Sequence, residues 1–311
     1  MSEELSVKKE KKSRRRILLC IGVLLFLIAL CAGFLVTRGM IETKEPGWHE
    51  ENGAPASYVS DEGKMVTGYQ IIGKEPFLFS PDGKLITTVG WYDVNGKPWT
   101  QGEKEDRFYC EECGELATGW KYIDGKVWYF YQKEDLERDD AGEDRKLCAV
   151  AKNYTTTGGI PIPESGFVDG DKGLALAYGI DVLNRYGWTL KDAYKYSSSL
   201  RFVAGADEHY GLTIHSCALH GFKYGEGNCL AWSGTFCVMA KLLGYDCRQI
   251  WGTLQWKGTR PHAWTEIWEE DGPHVYDPRK HEGVDMAGFD VHYGDKGSYK
   301  YDEDSKQYLE W

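Results

Sequence analysis

A chain of 311 residues with a formal net charge of −11 and 14% aromatic residues has room for two medium folded domains, since one core serves roughly 100 to 200 residues. The acid excess argues against a nucleic-acid partner, because phosphate contacts need a basic face, and it suits a soluble, exported surface. The nine cysteines show no regular framework spacing, so their pairing cannot be read from the sequence.

Residues 1–16 carry Lys8, Lys9, Lys11, Lys12, Arg14, Arg15 and Arg16, and Ile17 to Val36 then run without a charge. About twenty apolar residues match a hydrocarbon core of roughly 30 Å, so 17–36 is expected to be an uncleaved membrane anchor, with a cleavable signal peptide ending near Leu30-Cys31-Ala32-Gly33 as the alternative. Basic residues before the segment place the tail in the cytoplasm and the remainder outside. The expected localisation is a single-pass cell membrane protein facing the exterior.

From 47 to 132 the sequence repeats loosely, with Gly-aromatic pairs at Gly47-Trp48, Gly68-Tyr69, Gly90-Trp91 and Gly119-Trp120, spaced 21, 22 and 29 residues apart. Gly73-Lys74, Asn95-Gly96 and Asp124-Gly125 are turn signals between short strands, because tight hairpin turns need positive φ at their centre. Each unit reads as one β-hairpin, and hairpins that cannot bury a face alone stack into a solenoid. The runs Gly63 to Tyr69 and Gly114 to Trp120, with the aromatic strand Trp128-Tyr129-Phe130-Tyr131, resemble the cell-wall-binding repeats of the choline-binding and glucan-binding families. That resemblance implies a wall polymer as partner and an aromatic cage for a quaternary ammonium group, with Trp91, Trp99, Trp120, Trp128 and Tyr129 as candidates. Packing of one hairpin on the next would use the same residues. Within this region Cys110 and Cys113 form one CxxC pair, expected as a local disulfide or two free thiols. Residues 133–150 are mostly charged and read as a linker. Asn153-Tyr154-Thr155 fits a glycosylation sequon.

The last segment, 151–311, changes character. Leu174, Ala177, Tyr178 and Val182 share a helical face over Asp171 to Tyr186, stopped by Gly187, and Thr189 caps a second helix running towards Arg201. Tyr224 to Asn228 is a glycine-rich loop delivering Cys229 to a helix N-terminus, where the dipole and unpaired N–H groups favour a thiolate. Strands follow over 247–252 and 260–268, then Val275 to Pro278 after a turn at Asp271-Gly272, so His262 and Asp277 can sit on adjacent antiparallel strands.

The order Gly227-Asn228-Cys229, His262-Ala263-Trp264 and Asp277-Pro278 resembles the transglutaminase-like superfamily. The resemblance implies an α+β, papain-like core in which the helix bearing the cysteine packs on an antiparallel sheet. It also implies a triad in which Cys229 attacks an amide carbonyl, His262 moves the proton and Asp277 fixes the imidazole tautomer. The backbone N–H of Cys229 is the assignable oxyanion donor. Hydrolysis and transamidation of peptide or isopeptide bonds both remain open, as does a non-catalytic adhesion or scaffold role. No cofactor or metal is expected. His215, Cys217 and His220 precede the loop without a zinc requirement in the family's chemistry, and His274, His281 and His292 have no partner visible in the sequence.

Overall fold

The computed structural model describes residues 45–100, 106–138, 144–205, 211–255, 258–279, 286–295 and 299–311. They fall into two compact units, the described residues up to Val66 with Asp82–Leu85, and those of Thr67–Pro81 with those from Ile86 onward. The expected basic tail, 1–16, and membrane segment, 17–36, lie outside the described residues, among which no helix is long and apolar enough to cross a membrane.

The first unit holds the antiparallel hairpin β1 (Gly47–Glu51) and β2 (Ala54–Val59). Its two-residue turn has positive φ at Asn52 and Gly53, as a tight hairpin requires. Across the strands, Trp48 meets Tyr58 edge-on at 5.3 Å.

The second unit opens with three more hairpins: β3 (Gly68–Ile72) with β4 (Glu75–Phe79), β5 (Gly90–Asp93) with β6 (Arg107–Cys110), and β7 (Gly119–Ile123) with β8 (Lys126–Phe130). Gly73-Lys74 and Asp124-Gly125 form the expected positive-φ turns. Asn95-Gly96 does not join a hairpin, because β5 finds its partner further along the chain, at β6. There the Asp93 carboxylate accepts from Asn95 N and Lys97 N at 2.9 and 2.8 Å and folds the chain into a local turn. Gly96 is required by the stacking of units, since a Cβ at that position would lie 1.9 Å from Phe79 O.

Of the stretch expected as a linker, 133–150, the described residues 133–138 and 144–150 fold back on the last hairpin. Helix α1 (Lys133–Leu136) carries the buried Asp135, which accepts from Tyr129 Oη and Gln132 N, each at 2.8 Å. Cys148, Ala149 and Val150 are buried, and Tyr131 N and Ala149 O lie 2.9 Å apart. The charges there mask a short apolar run whose backbone completes the edge of β8. After the short pair β9 (Tyr154–Thr155) and β10 (Pro161–Ile162), β11 (Phe167–Val168) joins β8 as the third strand of its sheet, in the order β11-β8-β7.

Helices α2 (Gly170–Tyr186) and α3 (Leu190–Ser199) match expectation, with Gly187 ending the first and Thr189 Oγ1 accepting from Asp192 N in the second. The strands β12 (Arg201–Phe202) and β13 (Glu226–Gly227) pair in parallel. Between them lies α4 (Ile214–Tyr224), which the sequence reading did not foresee. Helix α5 (Cys229–Leu242) is buried at every residue after its first, as a helix apolar all round must be. It lies against the antiparallel sheet of β14 (Cys247–Gln255), β15 (Thr259–Glu269), β16 (Gly272–Tyr276) and β17 (Lys300–Tyr308), ordered β16-β15-β14-β17. Residues 262–267 of β15 are buried without a break, because both sheet faces are covered. Ile267 and Tyr276 pack with the helices. On the other face Ile250, Trp264 and Val275 pack with Val291, Tyr293 and Tyr301.

Helices α4 and α5 approach closely at Gly234, where a Cβ would lie 2.9 Å from both Ala218 N and Cys217 Cβ. Overpacking at a backbone contact of this kind costs about 1–3 kcal/mol. Gly234→Ala is therefore expected to lower the denaturant midpoint by that equivalent, whereas an unchanged midpoint would mean that the α4–α5 contact yields without strain.

Candidate active site

Cys229 is the first residue of α5, and the Asn228 side chain before it accepts from Leu230 N at 3.0 Å. The cap fixes the first turn while leaving the N–H of Cys229 at the helix mouth. Behind it, Ser233 Oγ donates to Cys229 O at 2.7 Å, and the buried Gln249 of β14 donates to Leu230 O and Ser233 Oγ, both at 2.8 Å. The turn that carries Cys229 is thus bolted to the sheet.

His262 lies opposite Gly252 in the β14–β15 register, and Asp277 directly follows β16. His262 Nε2 is 2.7 Å from Asp277 Oδ2, with the two residues 5% and 1% exposed. This contact leaves Nδ1 free of Asp277, and the Cys229 side chain is near enough to act on the imidazole. Burial lowers the imidazole pKa, but the charge and hydrogen bond of Asp277, followed by Cys229, outweigh it and raise the value to about 10. The imidazolium therefore persists at neutral pH beside Cys229, and a sulfur, imidazole and carboxylate in series can deliver a nucleophile and a proton to one carbonyl.

Three supports of Asp277 were missed from sequence. Tyr301 Oη donates to Asp277 Oδ2 at 3.0 Å, Tyr194 Oη donates to Asp277 O at 2.6 Å, and Asp277 N donates to Gly288 O at 2.7 Å. Gly288 is needed there, because a Cβ would lie 2.4 Å from Asp277 O. Their only sequence signal is tyrosine-rich chain near the C-terminus, which spacing alone does not connect to Asp277.

Cys229 and His262 open onto a groove of about 860 Å³ lined also by Phe202, Trp232, Trp251, Arg260 and Arg279. Its described lining includes Arg201, Arg260 and Arg279 and no carboxylate, in a chain whose net charge is −11.

The five wall-binding candidates do not line one cage. Trp120 pairs with Tyr129 across the β7–β8 hairpin, their rings 4.8 Å apart, while Trp128, next in the strand to Tyr129, faces the opposite side. Trp128 instead meets Trp91 at 4.6 Å, and Trp91 Nε1 donates to Asp124 at 3.2 Å. Trp99 and Trp128 flank the chain's own Arg107, whose guanidinium lies 4.7 and 4.9 Å from their ring centres and donates to Ser165 O at 2.5 Å. An internal cation therefore takes the place between these rings.

Other sequence-derived residues settle simply. Cys110 and Cys113 are free thiols, the first buried and the second exposed. His215, Cys217 and His220 lie on α4, with Cys217 in the apolar cluster beneath Cys229. His274, without a visible partner in the sequence, lies between Asp290 and Asp271 at 2.6 and 2.8 Å, and these hydrogen bonds raise its pKa to about 9. His281 lies outside the described residues.

Residues 186–278 match the family model described as the transglutaminase-like superfamily. The chain thus contains a transglutaminase-like domain, and Cys229, His262 and Asp277 all fall within the matched span. No curated protein matches the sequence. Among solved structures, CbpF in complex with ipratropium aligns at 24% identity over 40% of this chain and 32% of that one, with a TM-score of 0.26. Choline binding protein F from Streptococcus pneumoniae with a peptidoglycan analogue aligns at 19% identity over 40% and 47%, with a TM-score of 0.17. CbpJ from Streptococcus pneumoniae TIGR4 aligns at 21% identity over 40% and 48%, with a TM-score of 0.14. The chain spans between about a third and half of the length of these proteins.

The raised His262 pKa gives a signed expectation. The folded state favours the imidazolium, so the stabilisation from its pair with Asp277 is full below the ordinary value of about 6.5 and is lost as pH rises through about 10. Proton delivery to a leaving amine should fail over the same upper range. Asp277→Asn removes the raising charge and leaves burial, so the alkaline limb of kcat should move below about 6.5. A limb that stays in place would show that Asp277 does not set the His262 proton.

Proposed function

We propose that the protein is a cell-surface cysteine enzyme that breaks or exchanges peptide or isopeptide amide bonds through a thioester on Cys229. The observation that carries this reading is the buried His262–Asp277 pair at 2.7 Å, whose imidazole lines one groove with Cys229 at the α5 N-terminus. In the resting pair the Cys229 proton is held on His262; the Cys229 sulfur bonds to the amide carbonyl carbon, the C–N bond breaks, and the His262 imidazolium protonates the departing amine. Water or a second amine then attacks the thioester while the neutral His262 takes its proton, so the acyl group leaves as acid or as new amide and the starting thiolate–imidazolium pair is restored. The Cys229 N–H at the α5 mouth is positioned to stabilise the tetrahedral oxygen.

The exported, membrane-anchored setting rests on the basic tail and the apolar segment 17–36. The aromatic hairpins supply a wall-directed module, and tethering raises the local concentration of an envelope substrate. With several predicted cage residues packed on each other and on Arg107, the hairpins serve first as a spacer, and any wall ligand would contact their exposed edges. The groove's arginines favour substrates bearing a carboxylate near the reacting amide, since charge-assisted contacts to guanidinium are strong and directional.

Labelling of Cys229 tests the chemistry. Burial raises the pKa of Cys110 to about 11 and of Cys148 and Cys217 to about 12, so an alkylator at mildly acidic pH should select Cys229 over these and over the exposed Cys113. Cys229→Ser and His262→Ala should both abolish turnover of a peptide library scored by mass spectrometry for cleavage and for incorporation of an added amine. Labelling of Cys229 no faster than of Cys113, together with no turnover, would return the domain to a binding role.

For the groove, Arg279→Gln should raise KM about tenfold for peptides with a nearby carboxylate and leave kcat nearly unchanged. Peptides carrying the matching amide should show no such change, and an equal effect on both sets would remove the electrostatic reading.

A further inference from the structure

Two histidines that the sequence left without partners meet at the far end of the β15–β16 hairpin. Asp271 sits in the turn, His274 follows on β16, and His292 lies in the segment Met286 to Asp295 that runs beside it. Asp271 Oδ1 is 2.8 Å from His274 Nε2, and its other oxygen is 3.7 Å from His292 Nε2. The two imidazole centres are 4.3 Å apart. One ligand atom from each of the three residues lies within 4.8 Å of the others, so modest side-chain rotation brings them to a common ion at about 2.0–2.2 Å.

We propose that Asp271, His274 and His292 bind one divalent transition-metal ion of the zinc type, with Asp290 as the outer carboxylate that orients His274. Asp290 Oδ1 lies 2.6 Å from His274 Nδ1. A proton held there leaves the Nε2 lone pair for the metal, the carboxylate–histidine–metal arrangement that fixes a ligating imidazole. Two imidazoles and one carboxylate suit zinc, copper or nickel over calcium and magnesium, which prefer oxygen donors throughout. His274 has 11% of its side chain exposed, and Asp271 and His292 have 65% and 47%, so the site is anchored from inside and open to a water as fourth ligand.

The ligands come from two segments, and this gives the ion a structural task. Val275 and Val291 exchange backbone hydrogen bonds of 2.8 and 3.1 Å, and Gly288 O receives the N–H of Asp277 at 2.7 Å. An ion joining His292 to Asp271 and His274 would staple the backing segment of Asp277 onto β16. The staple does not depend on the proposed reaction.

The test uses the full chain in detergent, with Cys229→Ser to remove a competing thiol site, stripped by chelator and titrated with zinc by calorimetry. One zinc per chain at low micromolar or tighter affinity, with a rise in Tm, is expected. The cobalt derivative should show d–d bands and no thiolate charge-transfer band, which separates this site from binding at the exposed Cys113. His292→Gln and Asp271→Asn, both at exposed side chains, should weaken zinc at least about tenfold and abolish the Tm rise. Absence of stoichiometric zinc, a thiolate band, or unchanged affinity in both variants overturns the proposal.

Discussion

A carboxylate with 1% of its surface exposed must be paired, because an unpaired buried charge costs several kcal/mol. Asp277 is that carboxylate, and much of the catalytic-like half of the molecule is arranged around it. Its side chain takes His262 on one oxygen together with Tyr301. Its backbone takes Tyr194 from α3 and Gly288 from the segment behind. Helix, C-terminal strand and loop are thereby drawn to one point, and His262 inherits both its orientation and its proton from the result.

The same requirement explains why the C-terminal strand belongs to the sheet. Glu266 is fully buried beside Trp264 on β15 and is paired with Lys306 at 2.8 Å, with Tyr293 and Tyr308 also donating to it. Trp264 Nε1 in turn donates to Tyr293 Oη at 2.8 Å. Two buried acids, Asp277 and Glu266, thus tie β17 into the sheet and hold its aromatic neighbours over the second face. Without that cover, the face bearing Ile250, Trp264 and Val275 would be exposed.

Cys229, His262 and Asp277 were legible in the sequence because each sits at a local break in pattern: a glycine loop entering an apolar helix, a proline opening a strand, and a proline closing one. Helix ends at Gly187 and Thr189 were legible for the same reason, since capping is a matter of neighbouring residues. Tyr194, Gly288 and Tyr301 carry no such mark. Their role arises from contacts 83, 11 and 24 residues from Asp277 along the chain, and only the folded sheet brings them together. Helix α4 escaped for another reason: its cap is a serine reciprocating Thr213 rather than the acidic or amide partner that a capping box usually shows.

The aromatic repeats show how far composition can mislead about chemistry. A tryptophan in such a hairpin reads equally as ligand cage or as glue, and the decision falls to what lies between the rings. Here the Arg107 guanidinium lies over the rings of Trp99 and Trp128, and the loss of hydration lowers its pKa, so the stacking compensates part of a desolvation cost. Arg107 also reaches Ser165 in the strand-forming stretch that precedes α2, and β11 adds to the sheet of β7 and β8. Ring stacking and shared sheet therefore tie the last hairpin to the transglutaminase-like domain through backbone and core. A joint of that kind transmits orientation from the β7–β8 hairpin to the domain that carries the groove of Cys229.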